Sequence, residues 1–420
     1  MEENKNNGIF KSFMTIIVTA LITCIVTTIV VSGSKNTQNG TQKESFVGKI
    51  VNTITKPFTK NEEVTTSTIN NKLNEINQKL NQLYIGEIDE QKLIDSALEG
   101  YVQGVGDEYT EYLTEEEVTA LMEDVNGSYV GVGLYIAQNV GTNEILVVGV
   151  IEGSPANKAG ILVGDIVKKV DDIEFTGEQL TQASNNMKGV EGTKVKVTVE
   201  RNGENIDFDI TREKIKFNCI SSEKLENNIG YIRISSFDGG VAEDFEKAYK
   251  ELSSQGIKSL VIDLRNNGGG LVDQCLEIAE LIVPKGSKML ITKDKQNNEE
   301  ISTSSKDSII NVPIVILVNE YTASASEILT AAIRENVNAT VIGTKTYGKG
   351  VIQGIYSLDD QVTALKITMQ EYYTPNHNKI HKQGITPDIV LELPEEWKGQ
   401  LTVEREYDNQ LNKAVEILSK

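Results

Sequence analysis

Ser324 is the first residue whose type and setting suit chemistry. It lies between an apolar, strand-like run and a helical pattern, in Asn319-Glu-Tyr-Thr-Ala-Ser-Ala-Ser-Glu327. A serine at a strand-to-helix turn can expose its hydroxyl beside the free amides of a helix N-terminus, where negative charge is stabilised. The same segment fits a plain capping box, because Glu327 follows Ser324 by three residues. Alone, it leaves a nucleophile and a helix cap as open interpretations.

Lys349 is the second candidate, in Tyr347-Gly-Lys-Gly-Val-Ile-Gln353. Gln353 lies four residues further on and would share a face with Lys349 on a strand. Desolvation lowers the pKa of a lysine, so a partly buried Lys349 can act as a general base. The alternative is an ordinary exposed lysine at a loop end. A phosphate-binding loop is disfavoured, because the spacing G-x-x-x-x-G-K-[ST] is missing.

Two glycine-rich segments can supply backbone amides to a ligand. Asp263-Leu-Arg-Asn-Asn-Gly-Gly-Gly270 lies between a predicted strand and a predicted helix, which suits an oxyanion hole or simply a tight turn. It does not match the dinucleotide pattern G-x-G-x-x-G. Tyr129-Val-Gly-Val-Gly-Leu134 alternates glycine with apolar residues. Its amides can hold a terminal carboxylate and the strand after it can accept an extended peptide, although a plain glycine-rich strand start remains open.

Composition narrows the classes of function. The 420 residues include 41 Lys and Arg against 61 Asp and Glu, and a net charge of −20 disfavours nucleic acid as the main partner. Three cysteines exclude a disulfide scaffold and a multi-cysteine zinc site. The two histidines, His377 and His381, lie near Pro375 and Gly384 in a predicted loop, so we expect no metal site and no cofactor there. A base for Ser324 is then better sought in Lys349.

The chain begins with an apolar run. Residues 12–34 contain no charged side chain and are long enough to cross a bilayer as one helix. A cleaved signal peptide is the alternative, but the run exceeds a typical signal core and Val31-Ser32-Gly33 matches a cleavage site poorly. We predict an uncleaved anchor with a short cytoplasmic tail and the bulk of the chain outside the cytoplasm.

Periodicity divides the rest of the chain. Strands and helices alternate from residue 229 to 395, which predicts an α/β layered core, whereas 127–213 consists of short β-type runs. The predicted segments are a tail (1–11), an anchor (12–34), a linker (35–65), a helical N-terminal arm (66–126), a β-rich domain (127–213), the α/β core (214–398) and a C-terminal helix (399–420).

In combination, these motifs resemble the carboxy-terminal processing peptidases, also called tail-specific proteases. The resemblance covers roughly residues 65–400 and rests on the Asp263–Gly270, Thr322–Glu327 and Gly343–Gly350 segments, on Gln353 and on Gly384-Ile-Thr-Pro-Asp388, all in the family's order. The interval of 25 residues between Ser324 and Lys349 also matches the family. Thr322 and Lys345 depart from the family's commoner residues, without touching the pair itself.

The resemblance implies a fold and roles for residues. It implies a crotonase/ClpP-like core with an inserted PDZ domain, Ser324 as nucleophile, Lys349 as general base and Gln353 as the residue that orients it. It also implies an oxyanion hole from the amides of Gly269 or Gly270 and of Ala325. In the PDZ domain it implies a carboxylate-binding loop formed by Val130, Gly131, Val132, Gly133 and Leu134.

The sequence and this resemblance together predict a membrane-anchored serine endopeptidase that acts on extracytoplasmic proteins near their C-termini. The resemblance further implies that the PDZ domain receives the substrate tail and gates access to the Ser-Lys site, and that the helical arms can form a homodimer, the oligomeric state itself being left open by the sequence. The first alternative is a PDZ peptide-binding protein with a relic core, which the intact Ser324, Lys349 and Gln353 disfavour. The second is a crotonase-type acyl enzyme, which the PDZ-like insertion disfavours.

Overall fold

The structure, a computed structural model, describes residues 63–398 and 403–420. It divides into two units. Of the described residues, one unit comprises 63–121, 222–237, 245–398 and 403–420, and the other comprises 122–221 with 238–244. Within the described ranges, no helix is both long and apolar enough to cross a bilayer. The predicted anchor, 12–34, lies outside those ranges.

The described chain begins with helices α1 (Glu63–Leu83) and α2 (Glu90–Gln103), strand β1 (Glu111–Leu113) and helix α3 (Glu115–Asn126). The predicted capping box before α3 is confirmed, since Thr114 N–H donates to Glu117 Oε2 at 2.9 Å. The strand β1 differs from the expected all-helical arm. Tyr112 and Leu113 are buried there, so packing outweighs the helical tendency of the flanking sequence.

The unit formed by 122–221 and 238–244 is mostly β, as predicted. Its five-stranded antiparallel path runs β3-β4-β5-β7-β8, with β6 beside β5, and β2 pairs separately with β9. Alternating residues such as Val195, Val197 and Val199 fill its core. The elements are β2 (Ser128–Gly131), β3 (Leu134–Asn139), β4 (Glu144–Val150), α4 (Pro155–Ala159), β5 (Ile166–Val170), β6 (Ile173–Glu174), α5 (Leu180–Met187), β7 (Lys194–Arg201), β8 (Glu204–Thr211) and β9 (Glu213–Lys216).

The other unit is built on a sheet of order β10-β11-β12-β15-β16-β19, whose last five strands are parallel. Every residue of β12 and β15 is buried, as expected for parallel strands covered on both faces. Its elements are β10 (Ile220–Lys224), β11 (Ile229–Ile234), α6 (Val241–Ser254), β12 (Ser259–Asp263), α7 (Val272–Glu280), β13 (Lys288–Asp294), β14 (Glu299–Thr303), β15 (Ile314–Val318), α8 (Ala325–Val337), β16 (Thr340–Gly343), β17 (Val351–Ser357), β18 (Ala364–Tyr373), β19 (Ile389–Val390) and α9 (Asn409–Leu418).

A second, antiparallel sheet in the same unit has order β1-β18-β13-β14, and β17 also pairs with β18. The hairpin β13–β14 was not predicted. The C-terminal helix is shorter than the predicted 399–420. Asp408 caps it, accepting from Leu411 N–H at 2.9 Å, and the helix begins at Asn409.

Candidate active site

Three turns carry the predicted catalytic residues, and they follow the neighbouring parallel strands β12, β15 and β16. The first contains Gly269 and Gly270, the second ends at Ser324, and the third contains Lys349. Because carboxyl ends of parallel strands meet at one edge of a sheet, the topology gathers these segments in one place. This arrangement agrees with the predicted α/β layering.

Ser324 occupies a strained backbone position. Its φ of 56° and ψ of −119° lie far from the helical region, and Ala325 begins α8 directly after it. A non-glycine residue held in such a conformation costs free energy, which packing must supply, and strain of this kind clusters at functional turns. Ser324 is only 5% exposed. The turn thus presents the serine at the N-terminus of a helix, as the sequence predicted.

Glu327 joins the serine turn to the lysine turn. Its Oε2 accepts the N–H of Ser324 at 2.9 Å and the N–H of Lys349 at 3.0 Å. Its Oε1 accepts the Gly348 N–H at 2.8 Å and the Thr346 hydroxyl. Since the backbone amides of Ser324 and Lys349 donate to the same oxygen, their nitrogens lie within about 6 Å of each other. The capping box that the sequence offered is present, and its Glu327 also ties the backbones of the two predicted catalytic residues together.

The Glu327 side chain is fully buried and has no cation among the partners named above. Burial raises the pKa of Glu327 to about 7, although the hydrogen bonds from Thr346 and from the amides of Ser324, Gly348 and Lys349 partly offset this effect. The carboxyl therefore changes protonation near neutral pH, where its capacity to accept hydrogen bonds also changes.

Hydrogen bonds connect the loop after β12 to the turn that ends at Ser324. The Asn267 carbonyl accepts the Ala323 N–H and the Ser326 hydroxyl, both at 3.0 Å. The Thr322 hydroxyl donates to the Leu264 carbonyl at 2.8 Å. Satisfied buried hydrogen bonds of this kind fix the backbone, so the glycines and the serine keep one relative position.

The two candidate oxyanion glycines differ. Gly269 N–H already donates to Asn267 Oδ1 at 2.8 Å. For Gly270 N–H, the part of the chain that the structure describes contains no acceptor. A side chain at Gly270 would lie 2.6 Å from the Phe237 carbonyl oxygen and its φ is 137°, so only glycine fits. Ala325, first in α8, has an amide without an intrahelical acceptor. These geometries favour Gly270 over Gly269 as an oxyanion donor.

Lys349 is 4% exposed, not the ordinary surface lysine that the sequence left open. Its Nζ lies 4.9 Å from the centroid of the Tyr109 ring, and its carbonyl accepts the Tyr372 hydroxyl. Gln353 is 1% exposed on β17, beside a bulge, and its Nε2 donates to Thr368 Oγ1 at 3.3 Å. Both side chains are therefore almost completely removed from solvent.

The predicted carboxylate-binding loop lies between β2 and β3. Its carbonyls are occupied, because Val132 O accepts Ala156 N–H at 2.8 Å and Gly133 O accepts Ile151 N–H at 3.1 Å. In the described residues, no group accepts from the amides of Val132 and Gly133. Val130 and Gly131 end β2, and Leu134 begins β3, which is the edge strand of its sheet. Free amides beside an edge strand suit a peptide C-terminus.

Sequence reasoning missed two residues of the site. Tyr109 lies far from Lys349 along the chain, and no local pattern connects them. Cys275, which belongs to none of the motifs discussed above, donates its thiol to the Ala325 carbonyl at 3.1 Å. Burial raises the pKa of this thiol, so it stays protonated and serves as a donor below the turn.

Comparisons with known proteins place this geometry in a family. The model for peptidase family S41 matches residues 228–391, and a PDZ domain model matches 124–211. The carboxy-terminal processing protease CtpA of Bacillus subtilis (strain 168) is 36% identical over 325 residues, which cover 77% of this chain and 69% of that protein. A Staphylococcus aureus (strain N315) protein described as a CtpA-like serine protease is 35% identical over 327 residues, covering 77% of this chain and 65% of that protein, just under two thirds.

The fold agrees with these matches. A solved structure of a Bacteroides fragilis NCTC 9343 protein assigned to the S41 proteases superposes with a TM-score of 0.51 at 16% identity, over 80% of this chain and 92% of that one. The chain belongs to the S41 serine peptidases and carries a PDZ domain. Within that family its relatives are carboxy-terminal processing proteases, which confirms the predicted class of enzyme.

Proposed function

We propose that the protein is a membrane-anchored endopeptidase that cleaves extracytoplasmic proteins near their C-termini, with Ser324 as nucleophile and Lys349 as general base. The observation that carries the proposal is the shared carboxylate of Glu327, which holds the backbone of a strained, buried serine next to that of a buried lysine. Such an arrangement serves acyl transfer by a nucleophile with an adjacent base.

In this mechanism the neutral amine of Lys349 takes the proton of the Ser324 hydroxyl as its oxygen attacks the peptide carbonyl. The ammonium then gives that proton to the leaving amine, and the acyl-enzyme is released by water that Lys349 activates in turn. Gln353 orients Lys349 from β17. The amides of Gly270 and Ala325 stabilise the tetrahedral oxyanion.

The PDZ domain would receive the C-terminus of the substrate. The amides of the Val130–Leu134 loop bind the terminal carboxylate, and the tail extends along the free edge of β3 as an added strand. Occupancy of this loop would gate access to Ser324. This part of the proposal is supported by the amides without acceptors described above and by the edge position of β3.

The remaining parts of the proposal come from the sequence. Residues 12–34 would anchor the chain in the membrane, with the peptidase outside the cytoplasm. The arm helices α1 and α2 expose apolar side chains, Leu73, Ile76, Leu83, Ile94 and Leu98 among them, and would support a homodimer.

The direct test follows the mass of an unstructured substrate with an apolar C-terminus during incubation with the full chain in detergent micelles. We expect loss from the C-terminal side with wild type, and none with Ser324→Ala or Lys349→Ala. Lys345→Ala is the matched control, because Lys345 lies in the same turn but is exposed; it should retain activity. A substrate with an amidated C-terminus tests the PDZ domain and should be cleaved more slowly. Folded Lys349→Ala that still cleaves would exclude the dyad.

A further inference from the structure

A turn far from the catalytic motifs reaches the catalytic amine. Tyr109 lies between α2 and β1, in a segment that precedes the PDZ domain. Its ring centroid is 4.9 Å from Lys349 Nζ. This is within the distance at which an aromatic face attracts a cation, and the pair lies at a site where Lys349 is only 4% exposed.

Two sets of contacts hold this turn in place. Strand β1 pairs with β18, Glu111 opposite Lys366 and Leu113 opposite Ala364. Thr110 accepts the N–H of Thr368 at 3.1 Å through its hydroxyl oxygen, and that hydroxyl donates to Asp107 at 2.5 Å. Thr368 is also the residue that binds Gln353. The turn with Tyr109 and the strand with Gln353 are thus fixed to the same point of β18.

The ring has two opposite effects on the amine. It covers Lys349 and keeps water away, which favours the neutral form. Its negative face stabilises the ammonium, which favours the charged form. Burial raises the pKa of the Tyr109 hydroxyl, so the phenol stays neutral and adds no charge of its own. A covered amine with an aromatic face can therefore hold its proton between attack and leaving-group protonation without being free to exchange it with solvent.

We propose that Tyr109 is a positioning residue for the general base: its ring covers the Lys349 amine and determines the pH range in which that amine is neutral. The proposal rests on the proposed role of Lys349. It also makes the lysine's environment depend on the N-terminal arm, 66–126, because β1 within that segment carries the ring into place.

The test compares three substitutions in the full chain. Tyr109→Phe keeps the ring and should keep the pH midpoint of kcat. Tyr109→Leu keeps an apolar cover without the aromatic face, and should lower the midpoint by about half to one pH unit. Tyr109→Ala admits water and should raise the midpoint, with a loss of kcat at neutral pH of about tenfold or more. Tyr101→Leu, at a tyrosine that is 65% exposed on α2, is the control and should change nothing.

Opposite shifts for Leu and Ala distinguish this role from a structural one, since a loss of packing alone, including any effect on the nearby Glu327 carboxyl, would move the midpoint in the same direction in both variants. If the Leu variant has the midpoint of wild type, or a higher one, the proposal is wrong.

A second readout separates this proposal from the proposed function. The chain is labelled with 13C at lysine Cε, the Lys349 resonance is assigned with Lys349→Arg, and its pH titration is followed by NMR in wild type and in each Tyr109 variant. The same opposite shifts are expected without any substrate. Shifts in the NMR titration with no Lys349-dependent cleavage would support the role of the ring and overturn the role of the base. Identical titrations in all variants would overturn the role of the ring.

Discussion

Two buried carboxylates in the same unit meet opposite electrostatic surroundings. Asp263, at the end of β12, is bound by the guanidinium of Arg265 at 2.6 Å and by the Tyr231 hydroxyl at 2.7 Å. Burial alone would raise the pKa of Asp263, but the charge and hydrogen bonds of Arg265 outweigh it, and the pKa lies below its usual value. In the part of the chain that the structure describes, Glu327 accepts from three amides and a hydroxyl, and burial raises its pKa to about 7.

These different surroundings indicate different roles for Asp263 and Glu327. Arg265 also binds Asp408 at 2.8 Å, so the Asp263 site joins the start of the glycine loop to the N-terminus of α9 with permanent charges. The Glu327 carboxyl joins the turns that carry Ser324 and Lys349, and it is a group that can lose its charge. The first cluster connects segments through permanent charges, whereas the second links the relative position of two turns to the protonation of one carboxyl.

Removal of the Arg265 guanidinium should have the largest effect on the contrast between the two carboxylates. Arg265→Met leaves Asp263 and Asp408 buried without a positive partner, and we expect the free energy of unfolding to fall by about 3–5 kcal/mol, measured by urea denaturation. Arg334→Met, which removes an ion pair about one third exposed on both sides, is the control and should cost about 1 kcal/mol at most. Equal losses of stability in Arg265→Met and Arg334→Met would show that the burial of the Arg265 ion pairs is unimportant.

The two sites should respond to pH in opposite directions. The pKa of Glu327 is raised in the folded state from 4.5 to about 7. Its folded form binds the proton more tightly, so its contribution is complete below pH 4.5 and is lost as pH rises through about 7, a change of about 3 kcal/mol. The pKa of Asp263 is lowered, so its contribution is present above its usual value of 3.8 and is lost at lower pH.

Urea denaturation at several pH values checks this prediction. The stability of wild type relative to Glu327→Gln should fall between pH 5 and pH 8, whereas the stability relative to Asp263→Asn should be constant over that range. If the stability of wild type changed with pH in the same way relative to both variants, the assignment of opposite pKa shifts to Glu327 and Asp263 would be contradicted.

Activity should be sensitive to Glu327 beyond its effect on stability. Glu327→Gln preserves shape but directs N–H groups at a set of donors, so the amides of Ser324 and Lys349 lose part of their common acceptor. We expect kcat to fall by about 100-fold with KM little changed. Asp294→Asn is the control, because that carboxylate accepts from the amides of Gln296 and Asn298 in an exposed turn; its kcat should match wild type. Equal kcat values for Glu327→Gln and wild type would show that Glu327 does not contribute to activity.

The smallest effect concerns the hydroxyl that supports Asp263. Tyr231→Phe removes one hydrogen bond but leaves Arg265 in place, so the free energy of unfolding should fall by about 1 kcal/mol. Tyr373→Phe, whose hydroxyl bonds Glu371 in a less buried setting, should cost less. Thermal or urea unfolding distinguishes the two. A loss of stability from Tyr231→Phe as large as that from Arg265→Met would show that the Tyr231 hydroxyl, and not the Arg265 cation, is the main partner that stabilises Asp263.

Much of this organisation was predictable from local pattern. The apolar runs of β12 and β15, each followed by a polar or glycine-rich turn and a helical pattern, predicted strands of an α/β layered core, and the order of the motifs predicted the family. The capping box at Ser324 and Glu327 was equally visible. Hydrophobic periodicity and short-range turn chemistry act over a few residues, so the sequence carries them directly.

Other features depend on residues that are distant along the chain. The strand β1 was expected to be helical, and its pairing with β18 is what brings Tyr109 to Lys349. The second function of Glu327 requires the Lys349 turn to fold back onto α8. The choice of Gly270 over Gly269 depends on which amide Asn267 occupies. None of these contacts leaves a local signal.

The sequence by itself therefore determined the kinds of groups available: a serine at a strand-to-helix turn, a lysine between glycines, and amides that glycine can leave exposed. The tertiary structure decided which of them share a hydrogen-bond acceptor, which are shielded from water and which carboxylate has a cation. Those properties come from burial and distance, because the pKa of a group and the strength of its hydrogen bonds depend on the neighbours that folding brings to it.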